Sequence, residues 1–290
     1  MLFTLFACTT APIDTSTGAG RDSGADTADS GGGDTGGGDT SDPGVTYAAG
    51  DGPYTVSAKG AKLAGADVDV YTPSGDGPFP VVLWAHGFFR KKEQHVDAAA
   101  HAASWGFLVV APDLPEFSDH QANGEWLAND LLPEVQALPV AGPEVLMVGH
   151  SAGGLASLIG AGLAHADAWV GLDPVDASSL GTGADQDVTG AALLLHGEPG
   201  TCNADGSAYG WKTGGEQWTV TVTDADHCDF ESNTDSTCTA FCGDQDDARA
   251  ALIQQYAVAW LVQQTGGDAS AWMAGGSVAE ADKQAKKVSW

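Results

Sequence analysis

Continuous apolar runs alternate with amphipathic stretches along most of the chain. Runs such as 79–85 and 107–111 contain almost no polar residue, which is typical of strands buried on both faces of a parallel sheet. The strands are predicted at 54–57, 68–71, 79–85, 107–111, 145–148, 168–172, 191–195 and 218–223. The helices are predicted at 93–105, 122–138, 152–164 and 247–264. This order predicts an α/β fold with one doubly wound, mainly parallel sheet that has helices on both faces.

The chain divides by composition into a polar N-terminal part and one globular domain. Residues 9–44 consist almost wholly of Asp, Gly, Ser, Thr and Ala, and they lack an apolar period that would offset the entropy of ordering. We expect them to form a flexible acidic linker. Apolar patterning resumes near residue 45, and we expect an α/β domain over 45–266 and a polar C-terminal tail over 267–290.

The first eight residues resemble the end of a bacterial lipoprotein signal. An apolar run ends at Leu5-Phe6-Ala7, directly before Cys8, and a polar stretch follows. The run is too short to span a bilayer. We therefore expect residues 1–8 to be a signal remnant with a lipid anchor on Cys8, and the protein to be envelope-tethered or secreted. An ordinary apolar N-terminus with a chance cysteine is the alternative.

Charge narrows the range of partners. The formal net charge is −28 at pH 7, and no basic stripe is present to release the counterions of a nucleic acid. We therefore expect no nucleic-acid partner, and we expect a monomer. We also expect no metal or organic cofactor, although scattered carboxylates would bind adventitious Ca²⁺.

Four cysteines lie late in the chain, at Cys202, Cys228, Cys238 and Cys242. An even set of this kind suits two disulfides in an oxidising compartment, and the spacing leaves the pairing open. A structural zinc site is the weaker alternative, because no second Cys or Cys/His pair lies at zinc-finger spacing.

A nucleophile motif lies between a predicted strand and a predicted helix. Gly149-His150-Ser151-Ala152-Gly153 matches Gly-X-Ser-X-Gly, and this strand-to-helix context is the one that the motif requires. A sharp turn there holds the serine in a strained conformation, and the flanking glycines allow the backbone to approach closely. The motif predicts that Ser151 is the nucleophile of a serine hydrolase. A chance glycine-rich turn is the alternative.

A serine nucleophile needs a base, and the base needs a carboxylate that orients it. His227 is the leading base because it follows the last strand, and His196, which comes earlier, is its rival. Asp173 and Glu198 compete for the role of the acid, since each follows a strand end. Asp173 is favoured because a proline directly behind it presets the turn.

A tetrahedral intermediate also needs backbone donors for its oxyanion. Ala152 supplies one amide directly after the nucleophile, and Phe88 supplies the other from the loop after the first long buried strand. His86-Gly87 directly precedes Phe88. The alternative to an oxyanion loop is that His86-Gly87 forms an ordinary turn at a strand end. Four nearby aromatic residues form either an apolar wall of the pocket or part of the core: Phe88, Phe89, Phe117 and Trp126.

Several segments resemble the chlorophyllase and platelet-activating-factor acetylhydrolase branch of the α/β hydrolases. They are 85–88, 104–113, 149–154, 171–175 and the later 224–230, followed by Cys238 and Cys242. The resemblance implies the α/β-hydrolase fold and an acid in a Gly-Leu/Ile-Asp segment, which supports Asp173 over Glu198. Secreted polyester hydrolases and cutinase-like lipases share the Gly-His-Ser-X-Gly-Gly turn, but they usually take their acid from a later strand and are less similar.

The expected function is that of a serine carboxylester hydrolase. Ser151 would attack the ester, His227 would carry the proton, Asp173 would orient His227, and water would release the acyl group. Ala152 replaces the arginine that is typical of plant chlorophyllases, so the substrate is left open among small-molecule, lipid and polyester esters. An acyltransferase with the same triad and a non-catalytic, ligand-binding surface lipoprotein are the alternatives.

Overall fold

The structure is a computed structural model that describes residues 46–290. The strands are β1 (Val56–Leu63), β2 (Ala66–Pro73), β3 (Phe79–Ala85), β4 (Leu108–Pro112), β5 (Ala141–His150), β6 (Ala168–Leu172), β7 (Ala191–His196), β8 (Gln217–Val222) and β9 (Val288–Ser289). The helices are α1 (Val96–Ser104), α2 (His120–Trp126), α3 (Leu132–Gln136), α4 (Ala152–Ala164), α5 (Gly181–Ala184), α6 (Ser236–Cys242), α7 (Asp247–Gln264) and α8 (Ser277–Gln284). The predictions for residues 1–8 and 9–44, including a lipid on Cys8, lie outside the described residues.

The nine strands found within residues 46–290 form one sheet in the order β1-β2-β4-β3-β5-β6-β7-β8-β9. Six neighbouring strands pair in parallel, namely β4, β3, β5, β6, β7 and β8. The outer strands β1, β2 and β9 pair antiparallel. The mainly parallel α/β sheet predicted from the sequence is confirmed. Because parallel strands end at the same edge, the loops after β3, β5, β6 and β8 meet there.

Apolar side chains cover both faces of the sheet. On one face, α1 and α7 pack against the sheet through residues such as Ala99, Ala102 and Tyr256. On the other face, α4 and the segment around Leu131 provide the cover. Strands β4 and β6 are buried along their whole length, which explains why both are almost free of polar residues.

One predicted helix is interrupted. The sequence predicts a continuous helix over 122–138, but α2 and α3 are separated by a π-helical turn at Leu127–Leu131. Pro133 is the second residue after this turn and lacks the N–H that a regular helical hydrogen bond would use. Within residues 46–290, no helix combines the length and the apolar character needed to cross a membrane.

The C-terminal residues 267–290 are part of the fold, which corrects the expected polar tail and the domain boundary at 266. Strand β9 pairs with β8 at the edge of the sheet. Trp272, Ala279 and Val288 are buried in the core, although their neighbours in the sequence are mostly polar. A few well-spaced apolar residues therefore anchor a segment whose average composition is that of a solvated tail.

Candidate active site

Ser151 lies at the turn between β5 and α4. Its backbone has φ 56° and ψ −123°, a strained conformation that non-glycine residues seldom adopt. A side chain at Gly149 would overlap the carbonyl oxygen of Gly153, and one at Gly153 would overlap the carbonyl oxygen of His86. The glycines of the motif are therefore required by the close approach of the backbone around the serine.

Asp173 and His227 are in direct contact. Asp173 follows β6 and is fully buried, and His227 begins a 3₁₀ turn in the loop after β8. His227 Nδ1 lies 2.5 Å from Asp173 Oδ2. This contact leaves Nε2 as the ring nitrogen available for proton transfer.

The nucleophile lies beside this pair. The amide of Ser151 donates to the carbonyl of Leu172, the residue before Asp173, at 3.0 Å. The ring of His150 lies 4.6 Å from the ring of His227. Within the described residues Ser151 Oγ makes no hydrogen bond to His227, and such bonds often form only when substrate is present.

Three further donors surround the carboxylate of Asp173. Tyr209 Oη donates to Oδ1 at 2.9 Å, the amide of Gly197 donates to Oδ1 at 3.2 Å, and Asn203 Nδ2 donates to Oδ2 at 3.2 Å. A buried carboxylate needs such partners to remain charged. Burial, and then the Asp173 charge, raise the pKa of the Tyr209 phenol well above its usual range, so Tyr209 remains a donor.

Sequence reasoning missed Tyr209 and Asn203. Both lie in the long connection between β7 and β8, where no periodic pattern marks a residue as functional. The neighbouring Cys202 is the one local signal, because a cysteine expected to form a disulfide marks a fixed position in a loop.

The rival residues make other contacts. His196 Nδ1 lies 3.0 Å from the carbonyl of Gly197, and its Nε2 lies 3.3 Å from Thr221 Oγ1. The ring of His196 also stacks on Tyr209 with the centroids 3.8 Å apart. The Glu198 side chain is exposed. The structure thus joins Asp173 to His227, while both nitrogens of His196 are engaged elsewhere.

The predicted oxyanion donors lie at a cavity of about 330 Å³ beside the nucleophile. Phe88 and Ala152 both line it. Within residues 46–290, neither of their amides donates to a protein acceptor. A side chain at Gly87 would come within 3.0 Å of Ser151 Cβ, so the loop after β3 passes directly against the nucleophile. Both amides are therefore free to donate to a bound carbonyl oxygen.

His86 fixes this loop. Its Nδ1 donates to the carbonyl of Gly87 at 2.8 Å, and its Nε2 accepts from the amide of Leu114 at 2.9 Å. One nitrogen donates and the other accepts, which requires the neutral ring. Burial lowers the pKa of His86, which is consistent with that state. His86 therefore connects the loop after β3 to the loop after β4.

A buried ion pair connects the loop after β3 to the segment after His227. Arg90 Nε and Nη2 donate to the two carboxylate oxygens of Glu231 at 2.5 and 2.8 Å. Arg90 Nη1 also donates to Asp235 at 2.9 Å. The side chains of Arg90 and Glu231 are 8% and 0% exposed. The predicted oxyanion loop and the loop of the predicted base are thus held at a fixed separation.

Two neutral histidines lie behind the base. The rings of His95 and His150 are fully buried, with centroids 5.7 Å apart. Burial lowers the pKa of His95 to about 3 and that of His150 well below its usual value. Neither ring has a hydrogen-bond partner among the described residues. Burial thus keeps both rings neutral near pH 7.

Two disulfides join Cys202 to Cys242 and Cys228 to Cys238. They resolve the pairing that the spacing left open. Cys228 is the neighbour of His227 in the sequence, and Cys202 is the neighbour of Asn203. Both bridges therefore restrain loops that carry residues of the site. Three of these sulfur atoms lie close together, but sulfurs in disulfides are not thiolates and do not offer a metal site.

The four aromatic residues differ in their surroundings. Phe88, Phe89 and Phe117 are exposed and line the cavity. Trp126 is half-buried, packs against the core, and donates from its indole to the carbonyl of Ala64 at 3.1 Å. The apolar wall therefore consists of the three phenylalanines, and the tryptophan belongs to the core.

Residues 54–192 match the family described as Chlorophyllase. The matched segment contains Phe88, Ser151, Ala152 and Asp173, and it ends before His227. Chlorophyllase-1, chloroplastic, of Citrus sinensis is 34% identical over 132 residues, or 41% of this chain and 40% of the relative. The protein of the same name from Citrus unshiu is 33% identical over 132 residues, again 41% and 40% of the two chains.

Chlorophyllase-1 of Arabidopsis thaliana is 31% identical over 127 residues, which cover 37% of this chain and 39% of the relative. The chain thus spans about two-fifths of the length of the curated relatives it matches. The chlorophyllase resemblance carried by the sequence motifs is confirmed. Residues 54–192 of this α/β-hydrolase fold match the chlorophyllase family.

Proposed function

We propose that the protein is a serine carboxylester hydrolase that acts through Ser151, His227 and Asp173. The observation that carries the proposal is the contact of His227 Nδ1 with the buried Asp173 carboxylate, beside a serine in a strained turn. The similarity to chlorophyllases, which are ester hydrolases, supports the same reaction class.

The residues divide the reaction between them. Ser151 Oγ attacks the ester carbonyl carbon and transfers its proton to His227 Nε2, while Asp173 stabilises the resulting imidazolium. The amides of Phe88 and Ala152 donate to the oxyanion. His227 then protonates the departing alcohol, and an acyl group remains on Ser151.

Hydrolysis repeats these steps with water. His227 removes a proton from a water molecule, the hydroxide adds to the acyl carbon, and the Ser151 oxygen leaves with the proton from His227. The products are a carboxylate and the regenerated enzyme. None of these steps uses a metal or an organic cofactor. Product analysis with an added alcohol distinguishes this reaction from acyl transfer.

Turnover of p-nitrophenyl butyrate tests the proposal. Ser151→Ala is expected to lower kcat by about 10⁴-fold or more, and Asp173→Asn by a similar factor. Glu198→Gln is the control, because the exposed Glu198 side chain makes no hydrogen bond to His227 or Asp173 within the described residues. Labelling with a fluorophosphonate should occur in the wild type and be lost in Ser151→Ala. Equal turnover by the wild type and Ser151→Ala would refute the proposal.

We also propose that the protein is exported and anchored by a lipid on Cys8. The two disulfides support an oxidising compartment. Mass spectrometry of the protein from its native membranes should find a lipid on Cys8, and Cys8→Ser should release the protein from the membrane fraction. An unmodified Cys8 in membrane-bound protein would refute this part of the proposal.

A further inference from the structure

Three exposed phenylalanines lie side by side at the cavity next to Ser151. Phe88, Phe89 and Phe117 are 42%, 68% and 60% exposed. Their ring centroids are 4.5 Å apart for Phe88 and Phe89, 4.7 Å for Phe88 and Phe117, and 4.6 Å for Phe89 and Phe117. Each ring therefore contacts the other two. We call these three residues the phenylalanine platform.

The exposure of the phenylalanine platform costs free energy in the isolated protein. A contiguous apolar patch in water loses the free energy that burial would provide, and such patches typically mark binding sites. The backbone of Phe89 also has φ 58°, in the left-handed region that bulky side chains rarely occupy. Strain and exposure thus coincide at one residue of the platform.

Buried polar contacts hold both loops of the platform. The pair of Arg90 with Glu231 fixes the backbone next to Phe89. The buried side chain of Asn123 accepts from the amide of Glu116 at 3.0 Å and donates to its carbonyl at 2.8 Å, which fixes the backbone next to Phe117. The rings are therefore presented on anchored loops, and binding would require little further ordering.

The position of the platform indicates which part of an ester it meets. The cavity is lined by the platform, by Ala152 and by polar residues that include Lys91 and Asp113, whereas neither Ser151 nor His227 lines it. The departing alcohol must lie near His227, because His227 protonates it. A group that extends into the cavity on the side of the oxyanion donors is therefore the acyl group.

We propose that the phenylalanine platform is the acyl-binding subsite, and that it selects esters whose acyl group is large and apolar. The inference rests on the proposed function. A cavity of about 330 Å³ exceeds the needs of an acetyl group, and it continues onto an open apolar surface. A long alkyl chain and an aromatic acyl group share the chemistry that this surface would bind.

A series of p-nitrophenyl esters with one leaving group tests the proposal. The acyl groups are acetate, octanoate and benzoate, and the variants are Phe117→Ser and Phe89→Asn, the latter because asparagine tolerates positive φ. Phe241→Ser is the matched control, since Phe241 is 79% exposed and does not line the cavity. The measurement is kcat/KM for octanoate or benzoate divided by kcat/KM for acetate.

In both platform variants this ratio should fall at least tenfold, mainly through KM, whereas Phe241→Ser should leave it within twofold of the wild type. A fall for octanoate identifies an alkyl chain, and a fall for benzoate identifies an aromatic acyl group. If the wild type cleaves the acetate ester and the ratio is unchanged in both platform variants, the acyl-binding role of the platform is refuted. The proposed function would still stand. A wild type that cleaves no ester and takes no fluorophosphonate label would refute the proposed function itself.

Discussion

Replacing Glu231 with glutamine removes the charge that neutralises Arg90 in the interior. The pair is bidentate, and Glu231 is inaccessible to solvent. Glutamine has nearly the same shape, so the substitution isolates the electrostatic contribution. The Arg90 cation would remain buried, with the half-exposed Asp235 as its remaining partner.

The expected loss of stability follows from this geometry. Breaking a buried ion pair by removing one partner costs about 3–5 kcal/mol. Asp235 still accepts from Arg90 Nη1 at 2.9 Å, so we expect the lower end of this range, about 3 kcal/mol. For a domain of this size, 1 kcal/mol shifts Tm by about 2–4 °C, so Tm should fall by about 6–12 °C.

Urea unfolding at pH 7, with the disulfides intact, measures the loss. Glu93→Gln is the matched control, because the Glu93 side chain is 53% exposed in its pair with Lys92 and its replacement should cost less than about 1 kcal/mol. The double variant Arg90→Met/Glu231→Leu should recover the stability, because apolar residues commonly replace buried pairs without loss. A cost below about 1 kcal/mol for Glu231→Gln would contradict the reasoning.

Three further outcomes are expected. Tyr209→Phe removes the 2.9 Å hydrogen bond to Asp173 and should lower kcat about 10–100-fold with little change in KM; an unchanged kcat would exclude a role for Tyr209 in positioning the acid. Replacing both Cys202 and Cys242 with serine opens a loop with a sequence separation of 40, and thermal unfolding should show a loss of about 4 kcal/mol. Because burial lowers the pKa of His95 to about 3, the unfolded chain binds a proton more readily than the folded chain. Stability should therefore be lost as the pH falls from about 6.5 towards 3, at about 1.4 kcal/mol per pH unit for this residue. Urea midpoints from pH 7 to pH 4 should fall less steeply in His95→Gln, and equal slopes would count against the buried neutral histidine.

Local patterns in the sequence are sufficient to predict much of the fold. Helices α4 and α7 and strand β6 have the bounds predicted from the sequence, because each is a periodic or fully apolar segment between clear breaks. The nucleophile turn can also be predicted from the sequence, because the glycines before and after the serine reflect a local steric requirement. The positions of Asp173 and His227 at strand ends predicted that the two would be neighbours in space.

Contacts between residues far apart in the sequence cannot be predicted from local patterns. Arg90 and Glu231 are 141 positions apart, and neither stands out from its neighbours in the sequence. Tyr209 and Asn203 reach Asp173 from a loop without a repeating pattern. The sequence predicts a tail over 267–290 because the average polarity of this segment hides the apolar residues that pack against the core.

The pairing of β9 with β8 has a consequence for solubility. Without β9, the edge of the sheet would be Gln217-Trp-Thr-Val-Thr-Val222, an uncharged segment with high β propensity. Such an edge recruits strands from other molecules and promotes aggregation. Val288–Ser289 pairs with one end of β8, and Trp290 packs against Trp218 near the other, with ring centroids 5.3 Å apart. Val288, Ser289 and Trp290 therefore hinder intermolecular strand addition at β8, and a chain cut before Val288 will expose more of this edge for self-association.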